Sequence, residues 1–255
     1  MSQLHLHLRG AVAELKLDNP AKLNAFTSEM LRQLDQHCAL IEHRPEVSCV
    51  LVTAAGERAF CTGADISAWG GLSPADFARH WVRDGHRIFD RLARLGKPTI
   101  AVLTGHAFGG GLELAAACDI RVMVPKATIA LPEAGVGIVP GWSGTQRLAR
   151  LLPEGVLKEM ALFGRRIGAE RALAIGFAAC VAEDALAAAE AIAASLAGQS
   201  PRSIEVAKAM IHAGVGEDRA AMIEALGSGM IAATADRAEG VAAFSAKRKP
   251  EFPGT

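Results

Sequence analysis

KPTIAVLTGHAFGGGLELAAACDIRVMVP (Lys97–Pro125) decides the fold. "TIAVL" is a continuous apolar run rich in β-branched residues, the signature of a strand buried on both faces. Four of the seven residues from Gly105 to Gly111 are glycine. A helix opens there and runs through Cys118, and "IRVMVP" returns to strand from Ile120. Strand, glycine turn, helix and strand in that order make a crossover unit of an α/β fold with parallel strands.

The same grammar extends outward. "LHLHLRGAVAELKL" alternates and breaks at Arg9-Gly10, which predicts a hairpin from Leu4 to Leu17. Leu31, Leu34, Cys38 and Ile41 lie at helical spacing behind Thr27 or Ser28 as N-cap. Val47–Ala54 reads as a second buried strand, and Pro74–Leu95 as a helix capped by Ser73. From Ser143 to Ala246 the chain becomes Ala-rich and amphipathic, with almost no strand signal. The reading is an α/β core followed by a helical C-terminal part.

Composition narrows the function classes. The chain has 255 residues, 51% hydrophobic and 21% charged, enough to bury a sizeable core. Lys+Arg and Asp+Glu are each 27, so no net charge marks it for nucleic acid or an anionic membrane. Its five cysteines are scattered without C-x-x-C spacing, which argues against a disulfide scaffold or a zinc site and fits a reducing compartment. "MSQLHLHLRG" lacks the pattern of a signal peptide, and no apolar run approaches the roughly 20 residues of a membrane span. The expectation is a soluble cytoplasmic protein with no metal.

Three glycine-bearing segments remain: "FCTGADI" (Phe60–Ile66), the opening stretch, and "LPEAGVGIVPGWSGTQRL" (Leu131–Leu148). A dinucleotide fingerprint would need glycine where Leu114 stands, and no Gly-Lys-Ser/Thr exists for a phosphate loop. A more general cradle survives, because glycines let backbone N–H groups approach a ligand and a helix start adds positive potential. The plain alternative is a tight packing turn. Glu113 sits in the first turn of an otherwise apolar helix, as a dipole partner or a catalytic acid. Glu133 lies between Pro132 and a glycine-rich loop, as a surface acid or the second member of an acid/base pair. The residues themselves lead as far as an oxyanion hole with two carboxylates, hence carbonyl chemistry through an enolate-like or tetrahedral species.

Taken together, "NPAKLNAF", "FCTGADI", "KPTIAVLTGHAFGGGLELAAACDI", "LPEAGVGIVPGWSGTQRL" and "FSAKRKPEFPG" resemble the crotonase (enoyl-CoA hydratase/isomerase) family over nearly the whole chain. The resemblance implies a spiral core of repeated ββα units carrying the active site over residues 1–195. It implies a helical oligomerisation segment over residues 196–255, building a homotrimer or a dimer of trimers. It implies an enoyl-CoA hydratase of fatty acid β-oxidation type, acting on a short or medium 2-trans-enoyl-CoA thioester. No separate cofactor is needed, since coenzyme A is part of the substrate. The amides of Ala64 and Gly110 would hold the thioester oxygen. Glu113 and Glu133 would hold the water, Glu133 activating it for attack at C3 and Glu113 supplying the C2 proton.

The family's coenzyme A contacts carry over onto Lys22, Leu23 and Ala25, and onto Thr62, Asp65 and Ile66 of the second motif. Asp65 would serve mainly the loop's own hydrogen bonding, and Cys61 reads as a small buried hydrophobe. Phe244 and Lys247 match residues that reach a coenzyme A on a neighbouring subunit. Trp142-Ser143 departs from the pattern: many hydratases have two small residues there, so the Trp would narrow or reshape the acyl pocket. The helix Pro74–Leu95, with His80, Trp81 and His86, is where the family sets chain-length preference. The alternatives are another family activity, such as a Δ3-Δ2 isomerase or a hydratase of a branched or aromatic acyl-CoA, or a non-catalytic RNA-binding or assembly member.

Overall fold

The hairpin forms as its alternation predicts: β1 (Gln3–Arg9) pairs antiparallel with β2 (Val12–Asp18), Leu4 opposite Leu17 and Leu6 opposite Leu15. Gly10 makes the turn at φ 60°, in the left-handed region that glycine enters without a Cβ penalty. β2 then pairs parallel with β3 (Cys49–Ala54), β3 with β5 (Thr99–Leu103), and β5 with β7 (Ile120–Met123). β10 (Cys180–Val181) closes the six-stranded sheet against β7. All five residues of β5 are buried, as expected for a strand covered on both faces.

A second sheet explains why the core is a spiral. β4 (Ala59–Cys61), β6 (His106–Phe108) and β8 (Thr128–Ala130) each follow one strand of the large sheet by a short loop. They pair parallel in the order β4-β6-β8, with β9 (Ile167–Gly168) antiparallel at the edge. Each turn thus contributes one long buried strand, one short strand and helical structure: the ββα unit. Since β4, β6 and β8 are parallel, their C-terminal ends lie along one edge. The three glycine-bearing motifs leave from those ends.

This is a computed structural model; it describes residues 3–216 and 233–255. The chain divides into a unit ending at Ile204 and a unit Glu205–Thr255. In the first, α1 (Ser28–Glu42) is capped by Thr27, whose hydroxyl accepts the Met30 N–H at 3.2 Å. It buries Met30, Leu31, Leu34, Cys38 and Ile41. Within the second, the tail folds back on the helix Ala235–Ser245: Arg248 Nη2 meets Glu239 Oε2 at 2.8 Å, and the Ala235 N–H reaches the Thr255 carbonyl at 2.7 Å.

Two sequence expectations need correction. The helix expected over Pro74–Leu95 is three pieces: a turn Pro74–Asp76, a π-helical turn Phe77–Val82, and a regular helix Arg83–Ala93. The Arg83 N–H bonds to the Ala78 carbonyl five residues back, and one inserted residue leaves no clear mark on a 3.6-residue pattern. The region after Ser143 also holds β9 and β10, each two residues long and too short to show alternation.

Candidate active site

The first wall is built by two loops stitched together. "AKLNAF" turns through Leu23 and Asn24, both in the left-handed region at φ 52° and 57°. Asn24 makes that turn possible: its Oδ1 accepts the Asn19 N–H and its Nδ2 donates to the Ala55 and Ala59 carbonyls, each at 2.9 Å. The Thr62 N–H then bonds to the Leu23 carbonyl, the Phe26 N–H to the Gly63 carbonyl and the Asp65 N–H to the Phe26 carbonyl. In a parallel pairing of this kind the intervening residue, Ala64, points its own N–H away from the partner segment.

The second loop meets the first at glycine. Gly109 has φ 51°, and Gly110 opens the helix Gly110–Ala117, where an N–H has no intrahelical acceptor. Gly63 and Gly110 are in contact: a Cβ on Gly63 would stand 3.3 Å from the Gly110 nitrogen. Among the described residues neither the Ala64 nor the Gly110 N–H has a protein acceptor. Both residues line one cavity, together with Thr62, Ile66, Glu113, Glu133 and Trp142.

The two acids enter from different supports. Glu113, on the helix Gly110–Ala117, is 3% exposed. Its Oε1 accepts the N–H groups of Trp142 (2.7 Å) and Gly144 (2.8 Å). Burial pushes its carboxyl above the ordinary range, opposed by those two donors and by the nearby Arg147. Glu133 is buried too, in the short 3-10 turn Glu133–Val136 that follows β8. Its Oε2 has no hydrogen-bond partner. Burial, with a further push from the Glu113 charge, raises its carboxyl from 4.5 to about 7. The surface-acid reading of Glu133 is therefore wrong: β8 carries it inward, and Gly109 makes room, since a Cβ there would lie 2.9 Å from Glu133 Oε1.

The remaining wall is apolar: Trp69, Phe77, Trp81 and Val82 from one side, Val136, Ile138 and Val139 from the other. Trp142 is 3% exposed and packs edge-on to Phe26 and Phe89, with its Nε1 donating to the Trp81 carbonyl at 3.1 Å. It is a fixed piece of the cavity wall.

The other sequence-nominated residues fall around this cavity unevenly. Lys22 Nζ bonds to Asp65 Oδ2 at 2.6 Å, which holds the Asp65 carboxyl below its usual range. Asp65 also caps the helix Ile66–Trp69 by accepting the Ser67 N–H, so it serves its loop as expected. Leu23 and Thr62 line a neighbouring groove with Arg58, His106 and Lys126, whereas Ala25 is buried. Cys61 is buried and its thiol is pushed up to about 12 by burial, which leaves it inert. Lys247 is exposed at φ 52°; Phe244 belongs to the helix Ala235–Ser245, and its side chain lies outside the described residues. Sequence reasoning missed Asn24, whose signal was an asparagine in a Pro-containing turn, and the N–H of Gly144; it named Ser143 and His86 but not their contact with each other.

The comparisons agree with this architecture. The family model for enoyl-CoA hydratase/isomerase matches residues 7–255. The chain is 35% identical to a short-chain-enoyl-CoA hydratase of Clostridium acetobutylicum, covering 98% of this chain and 97% of that protein. It is 34% identical to a crotonyl-CoA hydratase of Syntrophomonas wolfei, covering 94% of each. A crystal structure of an enoyl-CoA hydratase from Bacillus anthracis superposes with a TM-score of 0.81 at 32% identity, over 99% of both chains.

Proposed function

Because this chain belongs to the enoyl-CoA hydratase/isomerase family, we propose that it is an enoyl-CoA hydratase, adding water across the 2,3 double bond of a 2-trans-enoyl-CoA. The observation that carries this reading is one cavity holding two unspent backbone N–H groups and two buried carboxyls. Hydration of a conjugated thioester needs both: donors for the oxygen that becomes an enolate, and an acid and a base for the two halves of water.

The environments of the acids support a division of labour opposite to the one the resemblance implied. Two N–H donors on one oxygen favour the ionised form of Glu113, against the burial that holds its carboxyl above the ordinary range. Glu133, with an unpartnered oxygen and a carboxyl raised to about 7, holds its proton to a higher pH than an ordinary carboxyl. On this reading Glu113 takes a proton from water as its oxygen bonds to C3. The π electrons move onto the thioester oxygen, held by the Ala64 and Gly110 N–H groups. Glu133 then protonates C2 as the enolate collapses, and proton exchange between the two acids and solvent resets the site.

Lys22, Leu23, Ala25, Thr62, Asp65 and Ile66 are assigned to the coenzyme A portion, Lys22 exchanging Asp65 for a phosphate. Phe244 and Lys247 are assigned to a coenzyme A held by another subunit of a homotrimer or dimer of trimers. A reducing, cytoplasmic setting agrees with five free thiols. Among the described residues no helix is long and apolar enough to cross a membrane. The test is the loss of enoyl-thioester absorbance when purified protein meets crotonyl-CoA. Inactivity across a panel of enoyl-CoAs overturns the assignment, and a fully active monomer by light scattering overturns the shared site.

A further inference from the structure

The donors that hold Glu113 belong to a turn, Trp142–Ser143–Gly144, whose middle residue is strained. Ser143 has φ 73°, a left-handed conformation that a non-glycine residue keeps only where its surroundings enforce it. The N–H groups on either side of it, of Trp142 and Gly144, are the two that bond Glu113 Oε1. If Ser143 relaxed to negative φ, the peptide planes beside it would rotate and the two donors would no longer converge on one oxygen.

What enforces the turn is the helix Arg83–Ala93, at four positions of one face. Gly85 lies so close to Trp142 that an added Cβ would stand 2.1 Å from its Nε1. His86 Nδ1 lies 2.8 Å from Ser143 Oγ, and its Nε2 lies 3.3 Å from Asp90 Oδ2 one turn on. Nε2 also lies 3.3 Å from Ser143 Oγ; in the tautomer that carries the proton on Nε2, toward Asp90, Nδ1 accepts the Ser143 hydroxyl proton. Phe89 packs edge-on to Trp142, ring centroids 5.1 Å apart. Asp90 also pairs with Arg147, a buried residue of the helix Gly144–Leu151 that begins at Gly144 itself.

We infer that His86 is a positioning residue: with Asp90 behind it, it locks Ser143 in the left-handed turn that aims two N–H groups at Glu113. The inference rests on the proposed hydratase reading for its kinetic consequence, while its structural content stands apart from any substrate. Glu113 touches the cavity; His86, Ser143 and Asp90 act only through it.

The experiment uses His86→Leu, His86→Gln and Ser143→Gly in the full chain, with crotonyl-CoA. Glycine adopts positive φ without strain, so Ser143→Gly removes the hydroxyl contact with little risk to folding. Expected for His86→Leu is a fall in kcat of about tenfold or more, from a misplaced carboxylate. KM and the melting midpoint should stay near those of the unmodified protein. His86→Gln, which keeps a hydrogen-bonding group, should recover most of kcat. His86→Leu combined with Ser143→Gly should lose no more than the larger single loss, because both break one contact.

Unchanged kcat in His86→Leu, or losses that multiply in the double variant, would overturn the inference. Amide hydrogen exchange supplies the substrate-free readout: the Gly144 N–H should exchange faster in His86→Leu while the large sheet stays protected. Unchanged Gly144 protection overturns the positioning role even if no substrate is found. Unmodified protein without hydratase activity counts against the functional reading alone.

Discussion

Glu113 and Glu133 face the same cavity from opposite kinds of support. Glu113 stands on a regular helix of eight residues and is gripped at one oxygen by two N–H groups. Glu133 stands on a short 3-10 turn, with one oxygen unpartnered. Both are buried, so desolvation alone would raise both carboxyls; the hydrogen bonds make them different. On the proposed reading, acid and base are separated by backbone donors, which cost no reorganisation during the reaction.

The strongest way to break the comparison is to remove each acid. Glu113→Gln and Glu133→Gln should each lower kcat by about 10²- to 10⁴-fold, the usual contribution of a general acid or base. The double variant should lose far less than the product of the two, since the acids serve one reaction coordinate. Steady-state hydration of crotonyl-CoA by the three variants checks this, and full activity in either single variant would remove the two-acid mechanism.

The pH dependence of the rate sharpens the assignment of roles. If Glu133 is the acid, it must be protonated in the free enzyme, so kcat/KM for hydration should decline as pH rises past about 7. A decline only on the acidic side of that value would return the acid's role to Glu113.

Stability gives a smaller reading of the same asymmetry. The Glu133 carboxyl stands at about 7 in the folded protein against 4.5 ordinarily, so between those values the folded state holds a proton that the unfolded chain has released. Stability from this group is present below pH 4.5 and lost as pH rises through 7. Glu133→Gln should therefore gain stability relative to the unmodified protein between pH 4.5 and pH 8, by on the order of 3 kcal/mol, at 1.36 kcal/mol per unit. Denaturant unfolding at the two pH values measures it, and a difference of the opposite sign would show that Glu133 is ionised in the fold.

Lys22→Ala should show the smallest effect. Lys22 is 54% exposed and its pair with Asp65 is screened by water, so stability should change by less than about 1 kcal/mol. KM for the coenzyme A thioester should rise, and an unchanged KM would remove Lys22 from the phosphate contacts.

How far the sequence reached differs between these same two acids. Glu113 was legible because its helical neighbours Leu112, Leu114 and Ala115–Ala117 are all apolar, so a helix there must be buried on most sides. Glu133 was legible as a candidate acid but not as a buried one, because its neighbours Pro132, Gly135 and Gly137 read as an exposed loop; Gly109, just after β6, lies against its carboxyl. The Gly85 and Ser143 contacts were silent for the same reason, their partners lying more than fifty residues away in the chain.

Local periodicity, turn chemistry and composition are properties of neighbouring residues, and from them alone come the hairpin, the buried strands, the glycine turn into a helix and the family's motifs in order. Which N–H groups converge, which carboxyl keeps its proton, and what holds a strained serine in place depend on groups brought together from separate turns of the spiral. Those are distances and dielectric surroundings, set only when the parallel strands β4, β6 and β8 align their ends on one edge.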